Sequence, residues 1–190
     1  MRPISLFSAT FLDAAKKGTA VSPGGDLAAR ARYEQTLVKR PDDAETLNNL
    51  GLTLERLGQR DDAITRFSRA AQLVPQNWAY HLNLAHALSE RRDWNRAVAE
   101  YRVAAGLFPT DSATQYNFAM TLQAKGDDAA AIPVFEKAIQ LAPSTPAPHL
   151  ALAASLEKAG RTADARLEYQ RYLDLDPSAP DAADVKTHLQ

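Results

Sequence analysis

The stretch that decides the fold runs from Leu47 to Pro75 and reads LNNLGLTLERLGQRDDAITRFSRAAQLVP. It contains two short segments with apolar residues at helical spacing, a glycine between them and a proline that closes the second segment. Prolines recur along the chain at a constant step of 34 residues, at Pro41, Pro75, Pro109, Pro143 and Pro177. A fixed period of this length is typical of an array built from one repeated supersecondary unit.

Alanine and aromatic residues follow the same period. The alanines are Ala29, Ala63, Ala97, Ala131 and Ala165. The aromatic residues are Tyr33, Phe67, Tyr101, Phe135 and Tyr169. Because three independent sets in phase are very unlikely to arise by chance, we interpret the chain as one elongated array in which each unit contacts mainly its neighbours.

The period divides most of the chain into four regular units of two helices each. The predicted units are 44–77, 78–111, 112–145 and 146–179. In the first unit Gly51 lets two helices approach closely, and Phe67 fills the wider gap one turn along. No single pair can bury its apolar face alone, so we expect stacked neighbours to supply the core.

The ends of the chain depart from the regular pattern. An amphipathic helix is predicted before Gly18, and its apolar face consists of Phe7, Phe11, Leu12 and Ala15. A loop is predicted over residues 19–25, and Asp26 is expected to cap a second helix that is in phase with the array. We therefore interpret residues 1–43 as an N-terminal helix, a loop and a degenerate repeat, and residues 180–190 as a short capping helix.

Composition limits the classes of function. The 190 residues are 45% apolar and 24% charged, with a net charge of -1 and no cysteine. No basic block indicates nucleic-acid binding, no apolar run approaches the length of a membrane span, and no glycine-rich phosphate loop or zinc spacing indicates a cofactor or a metal. We favour a soluble protein of the cytoplasm, with the periplasm as the alternative, and the alanine- and arginine-rich composition is typical of a bacterial source.

Candidate catalytic and metal-binding residues have simpler structural interpretations. His81 and His149 occupy one position two periods apart, where packing at a helix start explains them. His86 and Glu90 have the i,i+4 spacing of metal ligands, but two ligands without a third are a weak signal. The paired carboxylates at 61–62 lie where a helix opens, and the helix dipole favours negative charge there. The sequence therefore predicts a protein that is not an enzyme.

At these residues the chain resembles the tetratricopeptide repeat family, over 44–179 in full and 26–43 in part. The leucines and the glycine or alanine of each first helix match the family pattern, and so do the alanines, the aromatic residue and the proline of each second helix. The resemblance implies an all-α fold, a right-handed solenoid of antiparallel helix pairs with a 34-residue repeat. It also implies a concave groove, lined by first helices, that holds a peptide or helix of a partner protein.

The resemblance and the helical phase together predict which residues line the groove. They are Asn48, Leu52, Glu55, Arg56, Leu82, His86, Ser89, Tyr116, Met120, Gln123, Leu150, Ala154 and Glu157. Several are apolar, and a contiguous apolar patch on a surface usually marks an interface. Some members of the family clamp a carboxylate with lysine in the groove, but no lysine stands at the matching positions here. The expected ligand is therefore an apolar or amphipathic helix or peptide.

The sequence departs from the family pattern in two places. Tryptophan is usual near the start of each first helix, where this chain has Leu47, His81, Gln115 and His149. A small alanine is usual where this chain has Tyr172, which predicts looser packing towards the C-terminus.

Two other functions stay open at this point. The chain is a self-assembling structural subunit, and so a homo-oligomer, if its N-terminal helix docks into a neighbour's groove. It is the non-catalytic regulatory part of a larger complex if further components carry the chemistry. The N-terminal helix is also a candidate to fill the groove of its own chain.

Overall fold

The structure, a computed structural model, describes residues 23–190. Ten helices and no strand occur in this range. The helices are α1 (Pro23–Lys39), α2 (Ala44–Arg56), α3 (Arg60–Leu73), α4 (Trp78–Glu90), α5 (Trp94–Leu107), α6 (Ser112–Lys125), α7 (Asp128–Leu141), α8 (Pro146–Lys158), α9 (Thr162–Leu175) and α10 (Ala182–Thr187). The helix predicted around Phe7 and Phe11 lies outside the described residues.

The helices pack as consecutive pairs. The pairs are α2–α3, α4–α5, α6–α7 and α8–α9, and the second helix of each pair packs against the first helix of the next. First helices of neighbouring pairs also touch, α2 with α4 and α6 with α8. At the ends, α1 packs on α2, and α10 packs on α9. The predicted fold, an all-α, right-handed solenoid of antiparallel helix pairs, is confirmed.

Small and large residues alternate in the core as the period predicts. The alanines that recur every 34 residues from Ala63 to Ala165 are all buried. The recurring aromatic residues from Phe67 to Tyr169 are buried as well. Gly51 lies directly against Phe67, because a Cβ atom added to the glycine would stand 2.5 Å from Cε1 of the ring. The close approach of α2 and α3 therefore depends on the absence of a side chain at Gly51.

The sequence also accounts for where the first helices begin and end. They begin at Ala44, Trp78, Ser112 and Pro146, the residues at which the predicted units begin. The side chains that accept a first-turn N–H are Asp43, Asn77 and Asp111. Three of the turns that follow use a glycine with a φ of 75–92°, and the turn after α4 uses Arg92 with a φ of 60°. Each of the four turns thus contains one residue in the left-handed backbone conformation.

The start of α1 differs from the prediction. Residues 19–25 are predicted as a loop with Asp26 as the cap, but α1 already begins at Pro23. Proline is favoured at the first position of a helix, because its φ is preset and its missing N–H is not needed there. Asp26 is instead buried in the first turn, where its Oδ1 lies 2.8 Å from Nε of Arg56. The carboxylate thus ties α1 to the end of α2.

The end of the chain closes the stack. Tyr172, whose size predicts looser packing, is buried, and its hydroxyl donates a hydrogen bond to Asp181 at 2.5 Å. The ring of His188 lies 4.7 Å from the ring of Tyr169. The large tyrosine therefore holds the segment that leads into α10, and the packing does not loosen there.

Candidate functional site

Four of the predicted groove residues form a surface that we call the apolar stripe. It consists of Leu52 on α2, Leu82 on α4, and Tyr116 and Met120 on α6. All four side chains are half-buried, and each packs on one side against the buried core. Apolar surface that spans neighbouring helices in this way is typical of a binding interface.

Tyr116 is the largest residue of the apolar stripe. Its ring centroid lies 6.0 Å from that of Phe135, and the two planes are tilted by 52°. Burial raises the pKa of the Tyr116 phenol to about 12. The ring is therefore partly built into the core.

Three predicted groove residues are buried instead. Asn48 accepts a hydrogen bond from Nδ2 of Asn83 at 2.8 Å, which links α2 to α4. Nε2 of Gln123 donates to Oγ of Ser155 at 2.9 Å, which links α6 to α8. Leu150 is 8% exposed and belongs to the core. Helical phase alone does not separate side chains that face a groove from those that bridge two first helices, so the groove assignment of these three buried residues stays a prediction.

One carboxylate oxygen of Glu55 has no hydrogen-bond donor among the residues that the structure describes. Its Oε1 is buried and accepts no hydrogen bond within the described part of the chain. Burial, and after it the charge of Glu90, raises the pKa of the Glu55 carboxyl from 4.5 to about 7, against the lowering effect of Arg60 and Arg56. Near neutral pH the carboxyl therefore exchanges between its neutral and charged forms. A hydrogen-bond donor or a cation on a ligand would satisfy this oxygen.

Two predicted groove residues are engaged with the ends of the chain. Arg56 forms the ion pair with Asp26 of α1. Glu157 accepts a hydrogen bond from the hydroxyl of Tyr169 at 3.0 Å, and its Oε1 lies 3.2 Å from Nδ1 of His188. Both side chains are therefore engaged in contacts within the chain, Arg56 with α1, and Glu157 with α9 and the residue after α10.

The remaining predicted groove residues lie along the middle helices. The hydroxyls of Ser89 and Thr121 share a hydrogen bond at 3.2 Å, which joins α4 to α6. His86 and Ala154 are half-buried. Ser89 thus acts as a bridge between first helices, like Asn48.

Two histidines tie first helices to second helices. Nδ1 of His81 lies 2.7 Å from Oε2 of Glu100, and its Nε2 lies 3.1 Å from the carbonyl oxygen of Pro75. His149 and Glu168 form the equivalent contact at 2.6 Å. Both pairs are separated by 19 residues, so this shared spacing is the signal by which the sequence could have revealed the glutamates. The two histidines thus pack at the start of a first helix and also form hydrogen-bonded contacts with a glutamate of the second helix.

Across residues 23–190 no three carboxylate or imidazole groups come together as metal ligands. No helix of that range has both the length and the apolar character to cross a membrane. Among the predicted groove residues, the described part of the chain displays an apolar surface and the buried carboxyl oxygen of Glu55.

Comparisons with known proteins agree with this geometry. The family model for the tetratricopeptide repeat matches residues 48–112 and 116–180. No curated protein matches the chain significantly. The crystal structure of MamA is similar with a TM-score of 0.77 and 21% identity, covering 81% of this chain and 90% of that one. The structure of YrrB, described as a TPR protein with an unusual peptide-binding site, has a TM-score of 0.79 and 17% identity, covering 94% and 88%.

A further solved structure has a similar architecture. TTC0263, a thermophilic TPR protein of Thermus thermophilus, has a TM-score of 0.60 and 20% identity, covering 95% of each chain. At this identity the three solved structures show a shared fold. The family match spans most of the chain, and it supports a general role in protein–protein interaction. The chain belongs to the tetratricopeptide repeat family.

Proposed function

We propose that the chain is a non-catalytic scaffold that binds an apolar or amphipathic helix, or an extended peptide, of a partner protein along its first helices. The single observation that carries the proposal is the apolar stripe of half-buried side chains. Each of them rests on the core, which restricts its rotamers before a ligand arrives. Side chains that are already ordered lose little conformational entropy on binding, and this favours affinity.

The stripe and its surroundings define the chemistry of the ligand. An amphipathic helix presents apolar residues at i, i+3, i+4 and i+7, which suits a row of apolar side chains on parallel helices. A hydrogen-bond donor or a basic group on the same ligand would satisfy the buried oxygen of Glu55. The peptide-binding site described for YrrB, a protein of similar fold, supports a peptide as the ligand class.

The test compares two matched pairs of substitutions in the full chain. Leu52→Gln with Leu82→Gln alters the apolar stripe. Leu141→Gln with Leu167→Gln alters exposed leucines on the second helices α7 and α9 and serves as the control. Wild type and both variants are used to capture proteins from a lysate of the source organism, and the captured proteins are identified by mass spectrometry.

The proposal expects one protein that wild type and the control variant retain and the stripe variant does not. The purified partner should then bind the stripe variant at least about tenfold more weakly than wild type, a loss of roughly 1.4 kcal/mol. Equal binding by all three proteins would contradict the proposal and move the interface to another surface. Thermal unfolding followed by circular dichroism checks that the stripe variant remains folded.

A further inference from the structure

The chain carries a candidate ligand of its own ahead of α1. Residues 4–17 read ISLFSATFLDAAKK, and Phe7, Phe11 and Ala15 recur in them at i, i+4 and i+8. A helix of this length extends about 21 Å. That is enough to cross two or three first helices packed about 8–10 Å apart. Its apolar face therefore matches the stripe in chemistry and in length.

The competing place for this segment is beside α1. Tyr33 and Leu37 of α1 are half-buried, whereas the residues one period later, Phe67 and Ala71, are buried. In the regular units, the helix that covers this face is the first helix of the same pair. Residues 4–17 precede α1 in the chain, as a first helix would.

The spacing to the turn glycine argues against that place. Gly51 stands seven residues before Gly58, and even a Cβ atom there would lie 2.5 Å from the ring of Phe67. The residue seven positions before Gly18 is Phe11. The other regular pairs carry Ala85, Ala119 and Ala153 at this position, so no regular pair has a side chain larger than a methyl group there. The sequence of the N-terminal segment therefore does not match the first helix of a regular pair, which favours another surface for its apolar face.

The covalent connection lets the segment reach the stripe. The first turn of α1, which begins at Pro23, is tied to the end of α2 by an ion pair next to Glu55. Residues 18–22 join the segment to α1 and extend to about 17 Å. Lys16 and Lys17, at the end of the segment, are then within reach of the Glu55 carboxyl. Charge as well as apolar surface thus complements the groove.

We propose that residues 4–17 bind along the apolar stripe of their own chain as an amphipathic helix and compete there with the partner protein. This inference rests on the proposed function, because it names the resting occupant of the same surface. Because a short covalent connection joins it to α1, the segment is present at an effective concentration of roughly millimolar. The partner must displace it, so loss of its apolar face should raise the affinity for the partner.

An introduced thiol tests whether the stripe is covered, because the chain has no cysteine of its own. The full chain is prepared as Met120→Cys, with and without Phe7→Glu and Phe11→Glu, and the rate of alkylation by iodoacetamide is measured. We expect the rate to be at least about tenfold higher in the double glutamate background. Gln72→Cys, at an exposed position of α3 outside the stripe, is the control and should react equally in both backgrounds.

The dependence on protein concentration separates binding within one chain from binding between chains. A protected Met120→Cys thiol whose rate is independent of concentration supports the inference. Protection that grows with concentration overturns it, because a second copy then supplies the segment.

Two further results would overturn the inference. The first is an equal rate of Met120→Cys alkylation in both backgrounds. The second concerns Thr36→Cys, which lies on the half-buried face of α1. If Thr36→Cys reacts faster in the double glutamate background while the rate of Met120→Cys is unchanged, the segment lies beside α1. Either result leaves the proposed function standing if the partner still requires Leu52 and Leu82. A protected Met120→Cys thiol together with a partner that does not require the stripe would overturn the proposed function and the competition, and would leave the contact within the chain standing.

Discussion

The first helical pair, α2–α3, and the third, α6–α7, share one architecture and pack it differently. Each buries a phenylalanine completely, Phe67 in the first pair and Phe135 in the third. The small residue at the equivalent position of the first helix is Gly51 in one pair and Ala119 in the other. The first pair excludes the methyl group that the third pair contains. A regular repeat therefore sets the positions of the contacts, while the room beside the buried ring differs between these two pairs.

The two pairs also differ at one predicted groove position. Glu55 in α2 and Gln123 in α6 are two periods apart. The amide of Gln123 donates to Ser155 and to a backbone carbonyl of α8, which makes it a bridge between first helices. The buried oxygen of Glu55 receives no donor from the residues that the structure describes. In the third pair this position is hydrogen-bonded across first helices, and in the first pair it has no donor among the described residues.

The largest effect that tests the comparison comes from removing the buried rings. Phe67→Ala and Phe135→Ala should each lower the free energy of unfolding by about 3–5 kcal/mol, because both leave a cavity in a closed core. We expect the Phe67→Ala loss at the upper end, since Gly51 has no side chain to fill the space. Urea unfolding followed by circular dichroism measures both losses. A clearly smaller loss for Phe67→Ala than for Phe135→Ala would break the comparison.

The next effect concerns the small residue. Gly51→Ala should lower the free energy of unfolding by about 1–3 kcal/mol, because the methyl group forces the helices or the ring to shift. Replacing glycine by alanine inside a helix otherwise adds about 0.5–1 kcal/mol, so the sign of the change is diagnostic. Thermal and urea unfolding of the single variant measure it.

The control for this prediction is a double-mutant cycle. Gly51→Ala should cost less in a Phe67→Leu background, because the smaller side chain makes room for the methyl group. Equal costs in the two backgrounds would show that the ring is not what excludes the methyl group.

The pH dependence of the free energy of unfolding should distinguish Glu55 from Gln123, the two predicted groove positions. The raised pKa of Glu55 means that the folded state holds this proton more tightly than the unfolded state does. The stability that results is complete below the unfolded value of 4.5 and is lost as the pH rises towards about 7. Glu55→Gln should therefore remove a decline in unfolding free energy over this interval and leave the variant more stable than wild type above it. Urea unfolding at a series of pH values measures the slope.

The matched variant introduces the carboxyl into the third pair. Gln123→Glu should create a decline of the same sign, because the new carboxyl is placed where the wild-type side chain is buried. If neither substitution changes the pH dependence, the difference between Glu55 and Gln123 has no electrostatic consequence.

The smallest change in the free energy of unfolding is expected from substitutions in the apolar stripe. Leu52→Gln in the first pair and Met120→Gln in the third should each change the free energy of unfolding by about 1 kcal/mol or less, because these side chains are only half-buried. The same urea unfolding experiment measures both. Losses as large as those of Phe67→Ala or Phe135→Ala would show that the stripe belongs to the core and not to a binding surface.

The sequence predicted the architecture because the repeat has a physical period. Each unit uses the same number of residues for its two helices and its turns. The recurring alanines and aromatic residues therefore mark one buried face in every unit. The first helices begin at Ala44 and its equivalents for the same reason. The start of α1 differs from the prediction because Pro23 followed by two glycines favours a loop by composition, yet a proline also suits the first position of a helix.

The candidate site was harder to predict because it depends on contacts between units. Asn48 and Gln123 face a neighbouring first helix, and the phase of a single helix does not include that neighbour. The unpaired oxygen of Glu55 depends on which donors come near it in three dimensions. By contrast, the contact between His81 and Glu100 leaves a trace in the sequence, since the next copy of the pair has the same separation.

The packing of each helix mainly on its own and the adjacent pair also determines how cooperatively the chain unfolds. A stack of this kind behaves as a line of coupled elements, and about three units are needed for a stable array. Damage to the first pair leaves three consecutive pairs in contact. Damage of equal local size to the third pair divides the line into two pairs and one, both below that length. The same lost ring can therefore produce a partly folded species at one place and complete unfolding at the other.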